Sequence, residues 1–218
     1  MRASRTPPPG YVPSGTVALE GNRRLLVWLN VLSLPLLMIA GVLFGYLATL
    51  VRPDRFAFEV PIMSRLDALV FLSLAVSGVV GVPAALIVVH ELLHGAGFWA
   101  FTRSRPVFGF KGWYAYASAP GWFLSRGQAF TVLLAPLVAI SLGGLALVAL
   151  LPAPVAGLVL LGTIMNAASS TGDLFLFARL LRAPRSAVVE DTPTGMNWYV
   201  LSAVDAGQPP QPAPAPGR

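Results

Sequence analysis

The sequence predicts an all-α integral membrane protein with four transmembrane helices and a small β-hairpin-like interfacial loop between helices 2 and 3. Of the 218 residues, 56% are hydrophobic and only 11% are charged, whereas about a quarter of a soluble domain is charged. Four apolar runs also reach the roughly 20 residues that a membrane-spanning helix needs. The chain has no cysteine, which excludes disulfides and thiolate metal sites.

The four apolar runs divide the chain into one membrane domain, residues 23–201, and two tails. The predicted helices cover residues 25–51, 68–101, 128–151 and 155–181. The first run follows two arginines but is too long for the apolar segment of a signal peptide, so we predict an uncleaved helix. Residues 1–22 and the Pro-rich residues 202–218 have the composition of disordered tails.

The basic residues predict the orientation of these helices. Four lie in the N-terminal segment, four between helices 2 and 3 and four in the last turn of helix 4 or after it, twelve in all, against three between helices 1 and 2. Because basic residues concentrate on the cytoplasmic side, both termini are predicted to be cytoplasmic. Arginine supplies 14 of the 15 basic residues, which fits a GC-rich bacterial genome. Together with the four apolar runs, this predicts a multi-pass protein of the bacterial cytoplasmic membrane. Short scattered basic clusters argue against nucleic-acid binding.

The second apolar run ends in the sequence HELLH, which contains both histidines of the chain, His90 and His94. Residues four apart lie one turn apart on the same helix face, so both imidazoles can reach one Zn²⁺ ion. Glu91 lies beside the first histidine, where it can act as a general base toward water on the metal. Ionisable groups inside an apolar helix are costly, which favours a functional role over neutral packing histidines.

A catalytic zinc ion takes three protein ligands and leaves one position open. Asp173 is the candidate third ligand, because helices 2 and 4 are predicted to run in the same direction and place it at the depth of the histidines. Asn166 precedes it by two turns on the same face and is a candidate catalytic residue that donates to an oxyanion.

Two alternatives remain for these residues. Asp173 could instead pair with Arg179 or Arg182, which lie two or three turns away on the same helix. Asn166 could instead form an interhelical hydrogen bond that only stabilises packing.

The segments HELLHG and NAASSTGD together resemble the site-2 protease group of intramembrane zinc metalloproteases. They resemble more closely a family of small bacterial membrane proteins classed as zincin peptidases, over roughly residues 68–200. The resemblance implies that His90, His94 and Asp173 bind zinc and that Glu91 is the catalytic base. This chain departs from the site-2 pattern because no proline follows Asn166 and because the order near the acid is Gly-Asp.

The loop of residues 106–128 also resembles that family. It alternates Phe108, Gly109 and Phe110 before a glycine and Trp113, which suggests a hairpin or edge strand at the membrane surface. Its aromatic residues are candidate substrate-binding groups, because an exposed edge can pair with an extended peptide. An aromatic belt at the interface is the alternative. Residues 190–201 are predicted to form a second small strand or an interfacial segment.

The expected function is hydrolysis of membrane-embedded or membrane-proximal peptides by a zinc metallopeptidase of the HExxH type. The expected partners are the lipid bilayer and a membrane protein or peptide substrate. The main alternative is a membrane scaffold or regulatory protein that keeps a zinc site without turnover. A small transporter subunit with intramembrane ionisable groups is a third possibility.

Overall fold

The computed structural model describes residues 2–53, 65–112 and 114–202. It contains five helices and six strands in these ranges. The helices are α1 (Arg23–Val51), α2 (Arg65–Thr102), α3 (Arg126–Leu150), α4 (Ala153–Ser169) and α5 (Thr171–Leu181). The strands are β1 (Tyr11–Ala18), β2 (Val107–Phe110), β3 (Ala115–Ser118), β4 (Phe123–Ser125), β5 (Val188–Thr192) and β6 (Gly195–Leu201).

Three of the described helices are long and apolar enough to cross a membrane. They are α1 with 29 residues, the Val80–Thr102 part of α2 with 23 residues, and α3 with 25 residues. The fourth predicted helix is divided into α4 and α5, which are bent by 40° relative to each other and pass the same test together. The described chain therefore has three candidate spans, or four if the bent pair is one span, and is compatible with a membrane protein.

The break between α4 and α5 follows from three consecutive hydroxyl side chains. Ser169 and Ser170 donate to the carbonyl of Asn166, at 3.0 and 2.9 Å, and Thr171 donates to the carbonyl of Ala168 at 2.7 Å. Such back-bonding to carbonyls three or four residues earlier bends helices and satisfies carbonyl groups freed at a break within an apolar environment. As a result, Asp173 lies in the first turn of a new helix, where the helix dipole favours a carboxylate.

The structure corrects the all-α prediction, because four strands form an antiparallel sheet in the order β1-β6-β5-β4. The predicted disordered N-terminal tail is also corrected, since residues 11–18 form β1 and pair with β6 from Tyr11↔Leu201 to Ala18↔Gly195. Close approach at that last pair requires glycine, because a Cβ on Gly195 would overlap the carbonyl of Val17. The predicted C-terminal tail, except its first residue, lies outside the described residues.

The predicted hairpin between the second and third helices is present as the two-stranded sheet β2-β3, with Val107 opposite Ser118 and Phe110 opposite Ala115. Trp113 lies outside the described residues. A capping box between Ser125 and Gln128 then begins α3 directly after β4. The predicted segment 190–201 contains the end of β5 and all of β6.

All six strands connect to the same ends of the helices, namely the start of α1 and α3 and the end of α2 and α5. One core cluster joins this sheet to the helices and includes Leu133 of α3, Leu180 of α5 and Val189 of β5. Within the bundle, α4 packs closely on α3 at Gly144. A Cβ at this position would overlap the side chain of Thr163 in α4, so the close approach requires glycine. The fold therefore places a sheet across one end of an apolar helix bundle.

Candidate metal centre

The two histidines face each other from successive turns of α2, as their spacing predicts. His90 and His94 are both buried, and their Nε2 atoms are 3.2 Å apart. Because two lone pairs at this distance repel each other, the arrangement is favourable only with a proton or a cation between them. The pair therefore has the character of a binding site rather than of a packed apolar contact.

Asp173 completes a group of three ligand atoms. Its Oδ2 is 3.1 Å from His90 Nε2 and its Oδ1 is 3.3 Å from His94 Nε2. A tetrahedral zinc ion with ligand distances of about 2.0–2.2 Å separates its ligands by roughly 3.3–3.6 Å. The observed separations are within a few tenths of an ångström of this range. The donor set and its spacing therefore fit a zinc ion, and Asp173 contacts the histidines rather than Arg179 or Arg182.

The second nitrogen of each imidazole determines which atom is free to bind a metal. His90 Nδ1 is 2.9 Å from the amide oxygen of Asn166, and His94 Nδ1 is 2.9 Å from the backbone carbonyl of Val132. Both partners are acceptors, so each Nδ1 carries a proton and each Nε2 has its lone pair available. Such partners fix the tautomer and ring orientation of metal-binding histidines.

The carbonyl of Val132 is available because of Pro136. In a regular helix this carbonyl accepts the backbone N–H four residues later, but proline has no N–H. Residue 136 is that position, and it lies inside α3. The sequence reading missed this role. The available signal was a proline in the middle of an apolar helix next to the histidine helix.

Asn166 links the histidine helix to α3 through its side-chain amide. Its side chain is fully buried, its oxygen contacts His90, and its Nδ2 donates to the carbonyl of Pro136 at 3.2 Å. Both ends of the amide therefore contact the protein, and the geometry does not aim a donor at an oxyanion. Asn166 is a positioning residue for His90. The shared face of Asn166 and Asp173 is nevertheless present, because both contact the same imidazole.

Glu91 lies beside this group and has a free carboxylate oxygen. Its Oε2 is buried and has no hydrogen-bond partner among the described residues. A buried acceptor without a partner is costly, which indicates that the carboxylate serves a group that comes from solution.

A cavity of about 100 Å³ opens over the candidate centre and is lined by Glu91, His94 and Asp173. The hairpin contributes residues 114–117, four in succession, to its wall. Residues 115–117 belong to β3. Because successive side chains of a strand point to opposite faces, three consecutive strand residues can line one wall only along the edge of the strand. The backbone edge of β3 therefore faces the cavity.

The two predicted substrate-binding aromatics that the structure describes do not line this cavity. Phe108 and Phe110 are exposed on β2, on the other strand of the hairpin. The ring of Phe108 lies over Gly95 of α2, where a Cβ would overlap it. The location of the hairpin beside the candidate site agrees with the sequence reading, whereas the residues that line the site belong to β3.

Asp191 is a further acid in the cavity that the sequence reading missed. It lies on β5, is half-buried, and lines the cavity with Glu91 and Asp173. Burial raises the pKa of the Asp191 carboxyl well above its ordinary value, and the nearby carboxylates of Asp173, Glu91 and Glu190 raise it further. The sequence carries no signal for this role, because the face of β5 that points to the core is set by its pairing with β6.

Comparison with known families agrees with this geometry. Residues 84–188 match the model of a family described as "Putative zincin peptidase". The match includes all three candidate ligands and Glu91. No curated protein and no solved structure matches the chain significantly. The sequence match and the geometry of His90, His94 and Asp173 together support a zincin-type metallopeptidase.

Proposed function

We propose that this chain is an intramembrane zinc metalloprotease related to the site-2 protease group. The observation that carries the proposal is the set of three ligand residues, whose nearest ligand atoms are 3.1 to 3.3 Å apart in each pair, beside a carboxylate with a free buried oxygen. His90, His94 and Asp173 would hold the metal. Zinc bound there would supply a Lewis acid that lowers the pKa of water and polarises the substrate carbonyl.

Glu91 is the general base of this mechanism. Its carboxylate accepts a proton from the attacking water as the water oxygen bonds to the peptide carbon. The protonated Glu91 then gives the proton to the amine nitrogen as the carbon–nitrogen bond breaks. Asn166 and the carbonyl of Val132 keep the two imidazoles oriented throughout.

The position of the site along the helices supports hydrolysis within the membrane. His94 and His90 lie 8 and 12 residues before the end of α2, roughly 12–18 Å along the helix axis. Apolar side chains at the same level, Val88, Val89 and Leu92, are exposed on the outside of α2. A wide exposed apolar surface around a polar centre is the arrangement that lipid would stabilise.

The free edge of β3 supports binding of an extended substrate. A helical substrate forms its own hydrogen bonds and hides its peptide bonds, so it must unwind before hydrolysis. An extended segment could instead pair with the backbone of residues 115–117, which line the cavity, by strand addition. The substrate would then be a membrane-embedded or membrane-proximal segment of another protein.

The proposed topology has four spans with both termini in the bacterial cytoplasm. Twelve basic residues lie in the segments on the side of the bundle where the strands are, and three lie in the segment on the opposite side. This is the distribution expected if the strands are on the cytoplasmic side. Since the chain has no cysteine, single-cysteine variants test this directly. Ala153→Cys should react with an impermeant maleimide in intact cells, and Ser14→Cys only after permeabilisation. The reverse labelling pattern would invert the topology.

Hydrolysis is tested with Glu91→Gln. Purified protein in detergent or liposomes should contain one zinc ion per chain in both the wild type and the variant, whereas cleavage of membrane-derived peptides should fall about 10²–10⁴-fold. Glu190→Gln is the matched control, because Glu190 bonds to Tyr199 and not to the centre. Retained zinc with cleavage that survives Glu91→Gln would contradict the proposed mechanism. Zinc without any cleavage by the wild type would favour the scaffold.

A further inference from the structure

Asp191 breaks the alternation of its strand. Val189 and Asp191 lie on the same face of β5, and Val189 belongs to the core with Leu133 and Met196. A strand with one face in a core is expected to place apolar residues at alternate positions. Position 191 therefore calls for an apolar side chain and instead has a carboxylate. Departures of this kind concentrate at functional sites.

The carboxylate of Asp191 has no compensating partner in the part of the chain that the structure describes. The ion pairs there are His90 and His94 with Asp173, and Lys111 with Glu20 at 3.0 Å. No side-chain hydrogen bond involves Asp191 either, whereas the neighbouring Glu190 accepts one from Tyr199 at 3.2 Å. The residue is half-buried and lines the cavity, so its carboxylate is open to a partner on a bound molecule.

Two cavities meet at this residue. Asp191 lines the cavity of about 100 Å³ that contains Glu91, His94 and Asp173. It also lines a smaller apolar cavity of about 20 Å³ with Leu133 and Met196. The carboxylate therefore borders both the apolar cavity and the cavity that contains Glu91 and the candidate ligands.

The charge balance of the cavity identifies the kind of group that fits. One divalent ion, two neutral imidazoles and the carboxylates of Glu91, Asp173 and Asp191 leave one negative charge in excess. A substrate group with one positive charge would neutralise it. No lysine or arginine lines either cavity among the described residues, so the protein does not supply that charge itself.

We propose that Asp191 determines specificity by binding a basic group of the substrate, an ammonium or guanidinium, next to the bond that is hydrolysed. This inference rests on the proposed function. The basic group can come from a lysine or arginine side chain or from a free amino terminus, because both present the same charge and donors. Charge-assisted hydrogen bonds of this kind correspond to roughly 10- to 100-fold in affinity.

A binding assay tests this without turnover. Zinc-loaded wild-type protein in detergent, which keeps the Glu91 carboxylate, is titrated with fluorescent hexapeptides of leucine and alanine that contain one lysine, norleucine or glutamate and a non-hydrolysable ketomethylene group in place of the central peptide bond. Each peptide is made with a free and with an acetylated amino terminus. The same series is measured with the variants Asp191→Asn, Asp191→Glu and Asp191→Lys. Glu190→Gln is the matched control, because it removes one carboxylate from the other face of β5.

The expected result is tighter binding of basic peptides, meaning those with a lysine or a free amino terminus, roughly 10- to 100-fold over the acetylated norleucine peptide. The preference should be lost in Asp191→Asn, retained in Asp191→Glu and Glu190→Gln, and reversed toward the acetylated glutamate peptide in Asp191→Lys. If the acetylated lysine peptide keeps the preference, the side chain is recognised; if every peptide with a free amino terminus binds tightly whatever its side chain, the amino terminus is recognised.

Three results would overturn the inference. They are the absence of any preference for basic peptides, an equal preference in Asp191→Asn, and a second zinc ion that Asp191→Asn removes. Zinc content and thermal melting of each variant show whether it is folded. The proposed function is tested separately: it predicts that the wild type cleaves peptides and that Glu91→Gln does not.

Discussion

Replacing Asn166 with leucine should weaken zinc binding about 10- to 100-fold, the usual effect of removing a hydrogen-bond partner from a metal-binding histidine. The amide makes two buried contacts, from His90 Nδ1 at 2.9 Å and to the Pro136 carbonyl at 3.2 Å. Leucine fills a similar volume but accepts and donates no hydrogen bond. His90 then loses the acceptor that fixes the orientation and tautomer of its ring. Each tenfold increase in the zinc dissociation constant corresponds to about 1.4 kcal/mol of binding free energy.

The zinc dissociation constant is measured by competition with a chromophoric chelator in detergent, at fixed pH. Asn166→Asp is the matched variant, because it keeps an acceptor for His90 and loses only the donor to Pro136. It should bind zinc at least as tightly as the wild type, since a charged acceptor increases ligand basicity. The reasoning would be refuted if Asn166→Leu bound zinc normally and lost kcat alone. That result would restore the oxyanion role that the sequence predicts.

Two further predictions concern Pro136 and Asp191. Pro136→Ala should lower zinc affinity about tenfold, because the new N–H competes with His94 for the carbonyl of Val132, which accepts His94 at 2.9 Å. Pro35→Ala is the control, because Pro35 is an exposed proline inside α1 whose replacement adds no competitor for His94. It should leave zinc affinity unchanged, and equal affinities for all three proteins would contradict the prediction. Asp191→Asn should raise the melting temperature of the metal-free protein at neutral pH. Since the folded-state pKa of Asp191 lies above its unfolded value, wild-type stability falls as pH rises from about 4 toward the folded pKa. The advantage of the variant should therefore be absent near pH 3 and grow with pH, and a constant difference in melting temperature across this range would be inconsistent with burial of the carboxyl.

The helices and the histidine pair were predictable because both depend on local spacing. Apolar composition over 20 or more residues defines α1, α2 and α3 within a few residues of their observed bounds. The i, i+4 spacing of His90 and His94 determines that the imidazoles stack. The same locality explains the break at Ser170, although the sequence reading treated that segment as one continuous helix.

The sheet was mostly missed because its hydrogen bonds join distant parts of the chain. β1 pairs with β6 across more than 170 residues, and its Pro- and Gly-rich sequence has the composition of a disordered tail. Strand propensity is weak evidence when the partner strand is unknown. Without that pairing, β5 has no fixed face, and the exceptional position of Asp191 cannot be recognised.

By itself, the sequence determined the apolar helices, the facing histidines with Glu91 beside them, and the need for a third ligand on a later segment. Only the tertiary structure decided that Asp173 meets both imidazoles, that Asn166 and the Val132 carbonyl orient them, and which edge of the hairpin faces the cavity. Periodicity specifies which side chains share a helix face. The meeting of groups 83 residues apart depends on how helices pack, and that is a property of the whole core.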